Sequence, residues 1–207
     1  MNRQKVYVVS SPSGCGKTTV IHMLCERIPF IKRAVTSTTR LPRSGEVHGK
    51  DYFFLEKSGF QDKVQEGGFV ETTERYGHYY GLSYHSMQCI HDSQCDVIVN
   101  VDWQGLHSLR QIYGHHVISF FLLPPSLKVL KNRLITRNLD SMSVIKHRLD
   151  SARSDAENWH HYDHVLVNDQ LMATVQTMTG IIKGDKYTTN KKEIEQHVSF
   201  FDQEDCD

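Results

Sequence analysis

The chain has 207 residues, with 24 basic and 24 acidic side chains and an apolar fraction of 39%. That length suits one domain, or one core with inserted parts, and the balanced charge excludes an overall field for nucleic acid or anionic lipid. No segment approaches the roughly 18 apolar residues of a membrane span, and the N-terminus lacks the pattern of a secretory signal.

Five cysteines are present, an odd number with no CxxC pair. Cys15 lies inside the polar loop described next, where a disulfide would obstruct that loop. Reduced thiols in a cytoplasm are therefore expected, and zinc is not.

Val6 to Val9 reads as a short buried strand, followed by a polar loop from Ser10 to Gly16. A helix with Val20, Ile21, Leu24 and Ile28 on its apolar face comes next. A strand turning through Gly-rich backbone into a helix N-terminus gathers N–H donors that suit a polyphosphate. Gly16, Lys17 and Thr18 fit the phosphate-loop pattern, with Lys17 reaching the outer phosphates and Thr18 offering a hydroxyl to Mg²⁺. The first glycine position holds Ser11, which requires that this residue not adopt φ > 0. The stretch reads as a nucleotide site.

Ala34 to Arg40 is rich in β-branched residues, and a Pro/Gly loop runs from Leu41 to Lys50. Asp51–Leu55 reads as a strand. Ser58 is placed to cap a short helix that ends at Gly67-Gly68. Phe69–Thr73 and Tyr79–Gly81 suggest a small antiparallel sheet. Arg40, Arg43, Tyr52, Glu71, Tyr76, Tyr79 and Tyr80 gather here, either as a second anion site or as a solvated sheet with surface charges.

Asp96–Asp102, Val117–Leu123 and Val165–Asn168 are apolar runs that read as core strands alternating with helices, which argues for a parallel sheet. The Ser10–Gly16 loop and Asp102 both fall at the carboxyl ends of strands, where ligands bind in such sheets. Between the last two strands lies an arginine-rich helical stretch with Leu127, Leu130 and Leu134. Asp140 or Ser141 then caps a helix carrying Ile145, Leu149 and Ala152. These two helices are either amphipathic with solvated charges or a lid folding arginines over a phosphate. His160, His161 and His164 read as a loop before a strand and not as a metal site. A last amphipathic helix is expected from Leu171 to Ile182, and the polar tail from Lys183 is expected to be a frayed helix or disordered.

Ser11–Lys17, Ser37–Arg43, Gly45–Tyr52, Tyr79–Gly81 and Val101–Gly105 together resemble the guanylate kinase family, as do Pro124–Ser126 and Val167–Asp169. The arginines at 133, 137 and 148 belong to the same likeness, which runs from about Lys5 to Ile182. The resemblance implies an α/β P-loop kinase core with a parallel sheet flanked by helices, a small mostly β GMP-binding insert and a helical lid. In chain order the implied parts are core (1–34), GMP-binding insert (35–95), core (96–125), lid (126–157), and core with tail (158–207). It implies phosphoryl transfer from ATP to GMP, and to dGMP, with Mg²⁺ accompanying ATP and no nucleic-acid or membrane partner.

Carried over by residue, the resemblance assigns ATP to Ser11, Pro12, Ser13, Gly14, Cys15, Gly16, Lys17, Thr18, Arg133 and Asn168. It assigns GMP to Thr36, Arg40, Arg43, Tyr52, Glu71, Tyr80 and Asp102. Lys17, Arg137 and Arg148 would stabilise the transferred group, and Thr18 would face the metal. Four departures stand out. Ser11 replaces a loop glycine, Asn100 replaces an aspartate, Leu82 replaces a hydroxyl-bearing residue, and Thr72-Thr73 replaces Trp-Ala. They direct attention to guanine affinity and metal dependence. Two other readings are a guanylate-kinase-like binding module without catalysis and a P-loop kinase for another phosphorylated acceptor.

Overall fold

A computed structural model describes residues 4–136 and 141–203. Its elements, in chain order, begin with β1 (Val6–Ser10), α1 (Lys17–Arg27), β2 (Ile31–Arg33), β3 (Ser37–Thr38) and β4 (Phe53–Phe54). Then come α2 (Lys57–Gln65), β5 (Phe69–Arg75), β6 (His78–Ser83), α3 (Tyr84–Asp92), β7 (Asp96–Val99) and α4 (Trp103–Tyr113). The rest are β8 (Val117–Leu123), α5 (Leu127–Thr136), α6 (Met142–Ala156), β9 (His164–Val167), α7 (Leu171–Lys183) and α8 (Lys191–Gln203). The chain forms two compact units, and β1 runs through both: one holds residues up to Val8 and Pro29–Ile118, the other Val9–Ile28 and the residues from Ser119 onward.

In the first unit, β2, β7 and β1 pair in parallel, with Ile31 opposite Asp96 and Val6 opposite Val97. Every residue of β1 is buried, as expected of a central strand covered on both faces. The second sheet has the order β4-β3-β6-β5. The expected antiparallel sheet is thus present, but with one parallel pair, β3 with β4. Tyr76 (φ 54°) and Gly77 (φ 74°) both take left-handed backbone between β5 and β6, the requirement of a tight two-residue hairpin whose twist matches the strands.

Two expectations need correction here. The helix α2 starts two residues earlier than a Ser58 cap would allow, with Glu56 at the cap position and no side-chain cap bond. Its hold is instead Phe60, which is 1% exposed. The helix α3 was not foreseen, although Ser83 Oγ accepts from Ser86 N and Met87 and Ile90 are buried on one face.

In the second unit the strand order is β1-β8-β9, with β8 and β9 parallel and Phe120 opposite His164. Here α1 packs with α7, and α5 with α6. The helix α5 buries Leu127, Leu130 and Leu134, and α6 buries Ile145, Leu149 and Ala152. Ser141 caps α6 by accepting from Val144 N, while Asp140, the other candidate cap, lies outside the described residues.

Of the two forms expected for the tail the helical one is found, and it is anchored and not frayed. Residues 191–203 form α8, with Ile194 and Phe201 buried seven positions apart on one helical face. It packs on α6, where Arg153 Nε donates to Phe201 O (2.9 Å), and His197 Nε2 lies 2.8 Å from Pro124 O. Polarity of the segment as a whole concealed two anchoring residues. Among the described residues, no helix is long and apolar enough to cross a membrane.

Candidate active site

The phosphate loop sits in the second unit, between β1 and α1. Its left-handed positions are Gly14 (φ 97°) and Gly16 (φ 87°), and Ser11 is not among the residues with positive φ. The condition set by the missing glycine is therefore met. At Gly14 a Cβ would come within 2.9 Å of both Leu130 Cδ1 and Leu134 Cδ2, so the loop fits against α5 only as glycine. Gly16 occupies the cap position of α1, which directs the following N–H groups out of the helix end.

Around this loop the side chains converge. Lys17 Nζ donates to Ser11 O and Ser11 Oγ, both at 2.9 Å, and Ser11 Oγ donates in turn to Pro12 O at 2.7 Å. Arg148 is 9% exposed, and its Nη1 donates to Ser13 Oγ at 2.7 Å. Asn168 Nδ2 donates to Cys15 O (2.7 Å), while Arg133 Nη1 and Nη2 both reach Asn168 O at 3.1 Å. Asn168 thus braces the loop with its amide nitrogen, and Arg133 braces Asn168. Pro12 is buried within the loop, and Thr18 is exposed in the first turn of α1. Burial pushes the Cys15 thiol up to about 11, against a weaker opposing pull from Lys17, so it stays protonated and inert. Arg137 lies outside the described residues.

The first unit carries two further clusters. In one, Arg40 Nη2 donates to Glu46 Oε1 (2.8 Å), its Nη1 to Leu41 O (2.7 Å), and Arg43 N to Glu46 Oε2 (2.7 Å). The Arg40 guanidinium lies 5.5 Å from the Tyr52 ring centroid, and Tyr52 and Tyr80 meet edge-on at 6.2 Å. Burial works against the Arg40 charge, but the bond and charge of Glu46 outweigh it and hold the guanidinium above its ordinary value. Burial and neighbouring Tyr80 raise Tyr52, so its phenol stays neutral and can donate. Glu46 had no assigned role from sequence; the signal was a carboxylate three residues beyond Arg43 in a Pro/Gly loop. Thr36, 6% exposed, precedes β3, and its carbonyl accepts from Phe53 N.

The other cluster is acidic. Glu71 on β5 faces Asp102, the cap of α4, whose Oδ1 accepts from Gln104 N (3.0 Å) and Gly105 N (3.1 Å). The first turn of α4 approaches β5 so closely that a Cβ on Gly105 would lie 3.1 Å from Glu71 Cδ. Burial first, then the Asp102 charge, pushes the Glu71 carboxyl up to about 8, although the Leu82 N–H donates to it. Thr73 Oγ1 donates to Asp102 Oδ2 (3.2 Å), and Arg75 Nε lies 3.8 Å from the same oxygen. Thr73 was marked from sequence only as a departure from alanine, with no contact assigned, and Arg75 was not singled out; their alternation with Glu71 on one strand was the available signal.

Chemically, the first unit offers an arginine–tyrosine cluster suited to a phosphate and a half-buried carboxyl pair suited to a base edge rich in donors. The second offers a phosphate cradle with three cations around it. A family model described as Guanylate kinase matches residues 3–185. The guanylate kinase of Wolbachia sp. subsp. Brugia malayi is 38% identical over 185 residues, covering 89% of this chain and 95% of that protein. That of Ruegeria pomeroyi is 36% identical, covering 95% of this chain and 93% of its own. The crystal structure of guanylate kinase from Anaplasma phagocytophilum is similar at a TM-score of 0.73 and 30% identity, covering 90% of this chain and 88% of that one. With a matching family model over most of its length and relatives covered almost end to end, this chain belongs to the guanylate kinase family.

Proposed function

We propose that the chain transfers the γ-phosphoryl group of ATP to a phosphate oxygen of GMP, and of dGMP, giving ADP and GDP or dGDP. The bond from the γ-phosphorus to its bridging oxygen breaks as the new P–O bond forms. The attacking oxygen is already ionised, so no general base is needed. Catalysis then consists of alignment and charge stabilisation.

In this reading Lys17, Arg148 and Arg137 stabilise the transferred group, and Arg133 and Asn168 act at the ATP side with residues 11–18. Arg40, Arg43, Tyr52 and Tyr80 hold the GMP phosphate. Glu71 and Asp102 accept from the guanine N1–H and 2-amino groups, which an adenine edge cannot supply, and Thr36 lies near the base. Residues 35–95 form the acceptor-binding insert and 126–157 the lid, which closes to exclude water. Mg²⁺ fits the exposed Thr18 hydroxyl as an oxygen ligand beside phosphate oxygens and water. When bound, it would neutralise charge on the ATP phosphates. None of Cys15, Cys25, Cys89 and Cys95 forms a disulfide, which supports a cytoplasmic setting.

The observation that carries the reading is the convergence of Lys17 and Arg148 on one intact phosphate loop. It counts against a binding module that needs no ATP. Turnover of GMP with Mg²⁺-ATP, abolished in Lys17→Ala, is the expected result. A folded protein with little Mg²⁺-ATP affinity, unaffected by Lys17→Ala, would overturn it.

A further inference from the structure

The departures at Leu82 and Thr73 meet different environments. Leu82 is fully buried, so its side chain offers nothing polar to a base. Thr73 lies two residues beyond Glu71 on β5, and alternate residues of a strand share a face. The burial pattern agrees: Glu71, Thr73 and Arg75 are partly buried, whereas Thr72 and Glu74 are exposed. All three residues of that face meet Asp102.

The Asp102 carboxylate is held at both oxygens, by the N-terminal N–H groups of α4 at Oδ1 and by Thr73 at Oδ2. Two carboxylates in a half-buried site favour sharing one proton between them. A carboxyl pair joined in that way loses acceptor positions that guanine needs. The groups facing Glu71 are Asp102 at the start of α4, the Leu82 N–H from β6, and Thr73 and Arg75 on its own strand. Of these, Thr73 supplies the neutral tether that fixes Asp102 Oδ2.

Resting on the guanylate kinase reading, we propose that Thr73 is a positioning residue for base recognition. Its hydroxyl donates to Asp102 Oδ2 from β5, so that this oxygen is occupied by a neutral donor and not by a proton shared with Glu71, which leaves Glu71 available to the purine. This tether is a feature of this chain, since the resemblance predicts alanine at that position. It sets the guanine affinity in a site that lacks a hydroxyl at Leu82.

The test compares wild type with Thr73→Val, which keeps the shape and removes the hydroxyl, and with Thr73→Ser, which restores it. Thr73→Ala serves as a second variant if valine is not accommodated. The expected result is a rise of about tenfold in KM for GMP, the scale of one charge-assisted hydrogen bond, with KM for ATP unchanged. The pH at which KM for GMP levels off also moves upward, and Thr73→Ser restores both. A wild-type KM and pH profile in both hydroxyl-less variants would overturn the inference while leaving GMP turnover intact. Equal rises in both KM values, or no rescue by serine, would also overturn it. A wild type that turns over no GMP would remove the underlying reading, and this inference with it.

Discussion

On the proposed reading, in which Glu71 reads the guanine edge, recognition of GMP depends on pH within the physiological range. The Glu71 carboxyl is pushed up to about 8 by burial and by Asp102, whereas reading guanine requires the ionised form, which only accepts. At pH 7 about a tenth of the free protein would carry ionised Glu71, and at pH 8.5 about three quarters. Apparent affinity scales with the competent fraction, so KM for GMP should fall about eightfold over that range while KM for ATP stays level. Steady-state kinetics with each substrate varied in turn reads this directly. Glu71→Gln should have a high KM for GMP with no such slope. The same group acts on folding: because its pKa is raised, its contribution favours the folded state fully below about pH 4.5 and is lost as pH rises towards about 8. Denaturant midpoints should therefore decline more between pH 5 and 8.5 in wild type than in Glu71→Gln. A KM for GMP that is flat from pH 7 to 8.5 would refute the reasoning.

Other perturbations bear on the loop and its supports. Gly14→Ala forces a side chain into left-handed backbone and within 2.9 Å of Leu130 and Leu134; it should cost about 2 kcal/mol or more in chemical denaturation and weaken ATP binding. Arg148→Lys keeps the charge but loses the fork that engages Ser13; kcat should fall on the order of a hundredfold with KM for GMP little changed. Phe201→Ala removes the buried anchor of α8 and should cost about 3 kcal/mol by thermal or denaturant unfolding.

Sequence made the phosphate loop and the core strands legible wherever one residue type has one physical use. Gly16-Lys17-Thr18 after a buried strand left little choice of local structure, and β8 spans the Val117–Leu123 run that the sequence marked as a strand. Ser11 was ambiguous because a backbone angle cannot be read from a side chain; the angle observed requires no glycine. The tail escaped for another reason. Ile194 and Phe201 are isolated among polar residues, and their value comes from α6, not from local propensity. The contacts of Glu46 and Thr73 were hidden because each acts on another side chain, Arg40 or Asp102, and such partnerships exist only once the loop and strand are folded.

The most direct measurement is a coupled ADP-release assay with Mg²⁺-ATP against GMP, dGMP, AMP, CMP and UMP. Turnover confined to GMP and dGMP is the outcome expected of a chain that carries both a phosphate loop and the proposed Glu71–Asp102 base reader. Turnover with a different acceptor would contradict the base assignment, and a folded protein that releases no ADP with any of them would contradict the catalytic claim itself.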